Sequence, residues 1–249
     1  MKVSQLAVLV TAALACKAAL AADINVVSTV AVQAALERIQ PQFEHQTGHH
    51  LHIEYGSSSA LKRQMTDGKP FDVTLLTRDL VDDLVKQGKV AKGTTAGVGK
   101  TGMGIAVRAG APRPDISSRE SLQKTLLSAT GIAYPRDGQS GIVAQHVFDA
   151  LGITNEIKPR VHVDPRPAGA LLAVGEGHAT VAFAALSEIA ANFAVELAGP
   201  LPGDLQTYVE FSVGSAPAAR DPGACQAFIA FLRAPEARRQ LRIAGLETE

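Results

Sequence analysis

Strand-like apolar runs alternate with helical patterns along most of this chain, the alternation fails at two places, and the last segment has no partner in the series before it. These three observations predict an α/β protein of two lobes. Each lobe is expected to be a mostly parallel sheet flanked by helices, with two crossover segments serving as hinges.

The first unit opens with an apolar strand at 24–27 and a helical pattern at 31–43, followed by a strand at 51–55 with a helix at 60–65 and a strand at 73–76 with a helix at 80–87. Between 89 and 100 the periodicity fails in a stretch rich in Gly and Thr, which predicts a connection out of that unit. A second series runs through strands at 103–107, 131–133, 161–163 and 180–183, with helices at 118–127, 141–151, 168–174 and 187–194 between and after them. The run Gly199-Pro200-Leu201-Pro202-Gly203 breaks it again. The remaining strand at 206–213 and helices at 223–232 and 235–243 are expected to return to the first unit, giving lobe 1 as 23–100 plus 200–249 and lobe 2 as 101–199.

Residues 1–22 predict an export signal: Lys2, an apolar core from Leu6 to Ala15, then small residues with cleavage near Ala21 or Ala22. Cys16 after Leu14-Ala15 is a fainter lipoprotein pattern, so the periplasm is the expected compartment, with the soluble form preferred over a lipid anchor. Cys225 is then the sole cysteine of the mature chain; it lies in an apolar helical pattern and reads as a buried core thiol. The chain carries 24 basic and 24 acidic residues and only 4% aromatics, which speaks against a nucleic-acid groove or a stacking platform. A monomer is expected.

The most informative feature is Ser57-Ser58-Ser59, set between a strand and a helix. A helix opening there leaves backbone N–H groups unpaired at the positive end of its dipole, which is a seat for an anion. A second seat occurs where strand 24–27 runs into Ser28-Thr29. Ligands of open parallel sheets lie beyond the carboxyl ends of the strands, and that rule adds Thr77 with Arg78, Arg136 to Ser140, and Arg166 with Pro167. The predicted ligand set is Ser28, Thr29, Ser57, Ser58, Arg78, Arg136, Ser140 and Arg166. Serine and threonine are also ordinary helix N-caps, but a cap needs one hydroxyl and not three in succession. The arginines have an alternative too, as rim partners of Asp79, Asp137 and Asp164.

Other chemistry finds little footing. His45, His49, His50 and His52 cluster without Cys or carboxylate at ligand spacing, so no metal site is expected. There is no nucleophile elbow, phosphate loop or metalloprotease helix. Gly97, Gly99, Gly102 and Gly104 surround a crossing segment and are expected to give it flexibility; a dinucleotide-binding reading of them is weak, since no strand precedes them and no helix follows. No catalytic residue and no cofactor is assigned.

The opening Ile24–Leu36 segment, the run Phe43-Glu44-His45-Gln46-Thr47-Gly48, the segment from Tyr55 to Gln64, Pro70-Phe71-Asp72-Val73, Gly141-Ile142-Val143-Ala144 and the segment from Gly169 to Val174 resemble the periplasmic molybdate-binding proteins of ABC importers. The resemblance covers essentially the whole mature chain. It implies a type II periplasmic-binding-protein fold that closes on a tetrahedral oxyanion, molybdate or tungstate, and hands it to importer membrane subunits. Ser28 and one of Ser57 or Ser58 match that family's serine sites, and Ser140 stands where a backbone amide is offered. Two positions depart: Pro167 has no N–H to give where the family uses one, and Ala185 replaces a tyrosine. Arginine forks would suit an organic polycarboxylate instead. Some proteins similar to this family are aconitate isomerases, and that activity is the alternative to a carrier.

Overall fold

The computed structural model describes residues 21–166 and 168–248. The export signal falls outside the described residues except for Ala21 and Ala22, and Pro167 falls outside them as well. The first lobe contains β1 (Asp23–Thr29), α1 (Gln33–Thr47), β2 (His50–Gly56), α2 (Ser58–Thr66), β3 (Val73–Thr77) and α3 (Arg78–Lys86). A long strand, β4 (Ala96–Arg108), leads out of it. Beyond it lie α4 (Arg119–Ser128), β5 (Ile132–Pro135), α5 (Gln139–Leu151), α6 (Thr154–Ile157), β6 (Val161–Asp164), α7 (Gly169–Gly175), β7 (Val181–Ala185), α8 (Leu186–Ala190) and β8 (Val195–Pro200). The chain returns through β9 (Tyr208–Ser215) and ends in α9 (Pro222–Leu232) and α10 (Pro235–Ile243).

The strand order is β2-β1-β3-β9-β4-β7-β5-β6, with β8 also on β4. Strand β4 belongs to both halves: Ala96 to Gly102 pair with β9, and Met103 to Arg108 pair with β7 and β8. The pairings β1–β2, β1–β3, β5–β6 and β5–β7 are parallel, as the strand–helix alternation requires. The crossing strands add antiparallel pairings, so about half of the ladders run each way.

Three expectations are corrected here. The stretch 89–100 is not all connection, because its residues 96–100 are strand. No strand was expected between 194 and 206, yet Val195–Pro200 forms β8. Two of the crossing glycines, Gly99 and Gly104, serve close approach rather than flexibility. A Cβ on Gly99 would lie 2.8 Å from the Glu247 carbonyl, and one on Gly104 would lie 2.9 Å from the Gly199 carbonyl. Only glycine lets the backbones come that near.

Packing follows the amphipathic pattern. Leu36, Ile39 and Phe43 on α1 are fully buried, and Phe43 meets Phe228 and Phe231 of α9 edge-on at ring distances of 5.1 and 5.5 Å. In the second lobe Phe148 and Phe183 pack perpendicular at 5.4 Å. Cys225 is buried among the α9 core residues as expected. Histidines of the 45–52 cluster have local duties: His49 accepts the Ala22 N–H and His52 sits 3.1 Å from Asp23.

Candidate functional site

Strand register decides which strand ends share a cavity. Strands β1 and β2 pair from Asp23 opposite His50 to Thr29 opposite Gly56, so Thr29 and Ser57 emerge side by side. Strand β3 is aligned through Val26 with Val73 and Ser28 with Leu75, which places Thr77 at the same end. In the other half β5 and β7 pair from Ile132 opposite Val181, bringing the turn 136–140 and Ala185 together.

These ends enclose a cavity of about 40 Å³. Thr29, Val30, Ala31, Ser57, Ser58 and Thr77 form one wall; Pro135, Asp137, Gly138, Gln139 and Ser140 form the other. Ala185 and Glu188 close the second wall, and Met103, Val209 and Phe211 of the crossing strands form the floor. The walls are within contact distance, since a Cβ on Gly138 would lie 3.8 Å from the Ser57 Cβ. They are also joined directly: the Ser187 hydroxyl donates to the Ala31 carbonyl at 2.8 Å, and Arg63 on α2 reaches Asp137 at 3.7 Å.

Local chemistry shows what each hydroxyl does. Ser57 is the N-cap of α2 and its Oγ accepts the Ala60 N–H at 3.4 Å; Thr29 caps the following short turn, accepting from Ala31 at 3.5 Å. Both bonds are long, and both oxygens keep lone pairs and a proton for another partner. Ser58 is buried at the first turn of α2. Thr77 occupies the N-cap of α3 yet makes no capping bond, and its buried Oγ1 has no hydrogen-bond partner among the described residues. A buried hydroxyl without a partner carries a desolvation cost that a ligand can remove.

The turn from β5 into α5 is shaped for close approach. Gly138 has φ +115°, a conformation that L side chains rarely adopt, and a Cβ on Gly141 would stand 2.2 Å from the Pro135 carbonyl. The opening N–H groups of the thirteen-residue α5 therefore border the cavity, with Ser140 buried beside them and its Oγ 3.7 Å from the Met103 sulfur.

Among the described residues the lining holds no Lys, Arg or His; its ionisable groups are Asp137 and Glu188. Thus Thr29, Ser57, Ser58 and Ser140 of the predicted set come together, and four members do not. Ser28 is fully buried inside the strand, where its hydroxyl donates to the Thr29 carbonyl at 3.3 Å. Arg78 turns to Glu210 on β9 at 2.9 Å instead of Asp79. Arg136 is exposed, and Arg166 forks onto Asp164 with contacts of 3.0 and 2.8 Å. That pair holds the Asp164 carboxyl below its usual range. Glu188 was missed altogether, although the rule that located the other sites, a strand running into a helix, also applies to Ala185-Leu186-Ser187-Glu188.

The family model of the bacterial extracellular solute-binding proteins matches residues 24–247. An aconitate isomerase from a Pseudomonas species is 28% identical over 231 residues, covering 90% of this chain and 87% of that protein. The molybdate-binding protein ModA of Azotobacter vinelandii is 28% identical over 249 residues, covering 97% and 96%. A solved structure of the periplasmic molybdate-binding protein of Azotobacter vinelandii superposes with a TM-score of 0.75 at 20% identity, over 91% of this chain and 99% of that one. This is the type II periplasmic-binding-protein fold, two lobes joined by crossing strands.

Proposed function

The chain belongs to the family of bacterial extracellular solute-binding proteins, and from that premise we propose that it captures a small anion in the periplasm and presents it to the membrane subunits of an ABC importer. The observation that carries this reading is the cavity, where the hydroxyl-bearing strand ends of the first lobe face Ser140 and the start of α5 in the second. A compact tetrahedral oxyanion of the molybdate or tungstate kind suits it. The space is small, the donors are neutral, and arginine forks for an extended polycarboxylate lie outside it. Fixed dipoles bind a divalent anion without countercharge when water is excluded around them.

Closure comes from bending where β4 passes from β9 to β7, between Gly102 and Met103, and where the chain returns between β8 and β9. With those bends the lobes of this proposal are 23–102 with 201–249 and 103–200, within two residues of the expected 23–100 with 200–249 and 101–199. Gln206 braces the return, accepting the Met103 N–H at 2.8 Å and donating to the Met103 carbonyl at 3.0 Å. The lobes rotate about that brace, and the ligand favours the closed arrangement because only there do both walls touch it.

A second reading, isomerisation of a tricarboxylate such as aconitate, is favoured by the similarity to the Pseudomonas enzyme over most of the chain. Thermal shift with molybdate, tungstate, sulfate, citrate and aconitate separates the two. The carrier reading expects a saturable rise in melting temperature with molybdate or tungstate, about 2.7 kcal/mol of stabilisation at a hundredfold excess over Kd. Stabilisation by none of these anions sinks it. Conversion of one aconitate isomer into the other, followed by proton NMR, would establish the enzyme instead.

A further inference from the structure

Among the described residues, Glu188 is the carboxyl of the cavity wall that no cation pairs with. It sits at the third position of α8, half-buried, and its Oε2 accepts the Ala185 N–H at 3.2 Å, which fixes the carboxyl at the head of the helix. From there it lines the cavity that Thr29, Ser57, Ser58 and Thr77 line from across the cleft. Asp137, the other acidic residue of the cavity, is engaged by Arg63 at 3.7 Å. No Lys, Arg or His pairs with Glu188 among the described residues.

Among the described residues the surroundings of α8 add no countercharge. It packs on β4, β7, β8 and the short turn at Val30–Val32. The titratable groups of those elements are Lys100 and Arg108 on β4 and Glu196 on β8. Lys100 pairs with Glu247 at 3.4 Å and Glu196 with Arg113 at 2.8 Å, while Arg108 is exposed. On the outer side Glu188 shares a depression with Glu37, another acid. An ionised Glu188 would therefore face a bound anion as an uncompensated like charge, whereas the neutral acid offers an O–H donor to complement the hydroxyls opposite.

We propose that Glu188 is the proton-exchanging residue of this site: it holds the captured anion in its neutral form, so that loading takes up a proton and release returns it. The proposal rests on the anion-carrier reading and adds to it a coupling that none of the neutral donors supplies. Burial pushes the Glu188 carboxyl up to about 7, with the Ala185 N–H pulling the other way, so the exchange falls where the compartment operates. A bound dianion raises it further. Below that range the carboxyl is already neutral and capture is independent of pH; above it, each anion must bring a proton with it, and affinity falls about tenfold per pH unit.

Titration calorimetry with molybdate, and with citrate should molybdate not bind, tests this between about pH 7 and 9 in two buffers of different ionisation enthalpy. The wild-type protein is expected to take up close to one proton per anion at the alkaline end. Glu188→Gln keeps an acceptor for Ala185 and supplies an N–H donor, so its melting temperature should hold while proton uptake vanishes and the affinity profile flattens. Binding without proton uptake in the wild type, or the same pH profile in both proteins, overturns the inference and leaves the carrier reading standing. Failure of every anion of the panel to bind removes both.

Discussion

Thr77→Val should move stability and binding in opposite directions. Valine matches threonine in shape and β-branching, and the Thr77 hydroxyl makes no capping bond to α3, so the usual cap loss of about 1 kcal/mol is not incurred. What the substitution removes is a buried oxygen with no partner among the described residues, at 3% exposure. Relief of that group is worth about 1–3 kcal/mol, which for a chain of this size corresponds to roughly 2–4 °C of melting temperature per kcal/mol. On the proposed reading the same hydroxyl donates to the anion in the complex, and its loss costs about 1.5–3 kcal/mol, roughly 10- to 150-fold in Kd. Differential scanning fluorimetry of the ligand-free protein and calorimetry with molybdate provide the two readings. A lower melting temperature, or an unchanged Kd, refutes the argument that this oxygen is kept for a ligand.

Ser57→Ala combined with Ser58→Ala forms the contrasting case, because Ser57 does cap α2: melting temperature should fall by the equivalent of about 0.5–2 kcal/mol and anion affinity should weaken by about 1–3 kcal/mol. Unchanged affinity would take these side chains out of the site. Asp72 is buried, which raises its carboxyl, but hydrogen bonds from Arg220 and from the Asn25 N–H outweigh burial and hold it below its ordinary value. A depressed carboxylate contributes stability that is present above its unfolded value and lost as pH falls through the folded one, so Asp72→Asn should destabilise at neutral pH and differ less from wild type at about pH 3. An equal difference at both pH values in urea melts counts against this. Burial, with Asp72 and Asp221 nearby, pushes the Cys225 thiol up to about 11, so it should resist alkylation at pH 8 in the native protein and react once unfolded. Stoichiometric native labelling, read by mass spectrometry, contradicts that.

The parts of the site legible in the sequence are those where a strand end and a helix start coincide. Thr29, Ser57, Ser58, Thr77 and Ser140 all obey that rule, and the parallel registers bring them to one place. The rule specifies where a residue sits, not which way it points. Ser28 is one position too early, so its side chain faces the interior. Arg78 is one position later than Thr77 and swings to Glu210 on β9, a strand 132 residues further along that local spacing cannot supply. Strand β4 was half hidden because Gly97, Gly99, Gly102 and Gly104 replace the apolar run by which a strand is recognised. The reason at Gly99 and Gly104 lies in backbones that approach from Glu247 and Gly199, long-range neighbours again. Glu188 obeys the same rule, but its residue type does not mark it, because an acid is not what an anion site implies.

A cavity whose lining includes two acids and no cation among the described residues cannot draw its affinity from net charge. On the proposed carrier reading, binding comes from directional donors enclosed by closure, and enclosed dipoles are screened little by dissolved ions, while exposed arginines are screened within a Debye length of about 10 Å at 0.1 M salt. Arg78 and Arg166 are both more than half exposed and already paired with carboxylates, so any part they take in capture is a long-range one. Raising sodium chloride from about 0.05 to 0.5 M should therefore slow association modestly and leave the dissociation rate nearly constant, changing Kd by less than about threefold. Stopped-flow kinetics at the two salt concentrations separate the rates. A tenfold or greater weakening carried by faster dissociation would mean that a cation contacts the bound anion. The arginines would then have to swing inward on closure, and the neutral-donor account of this cavity would fail.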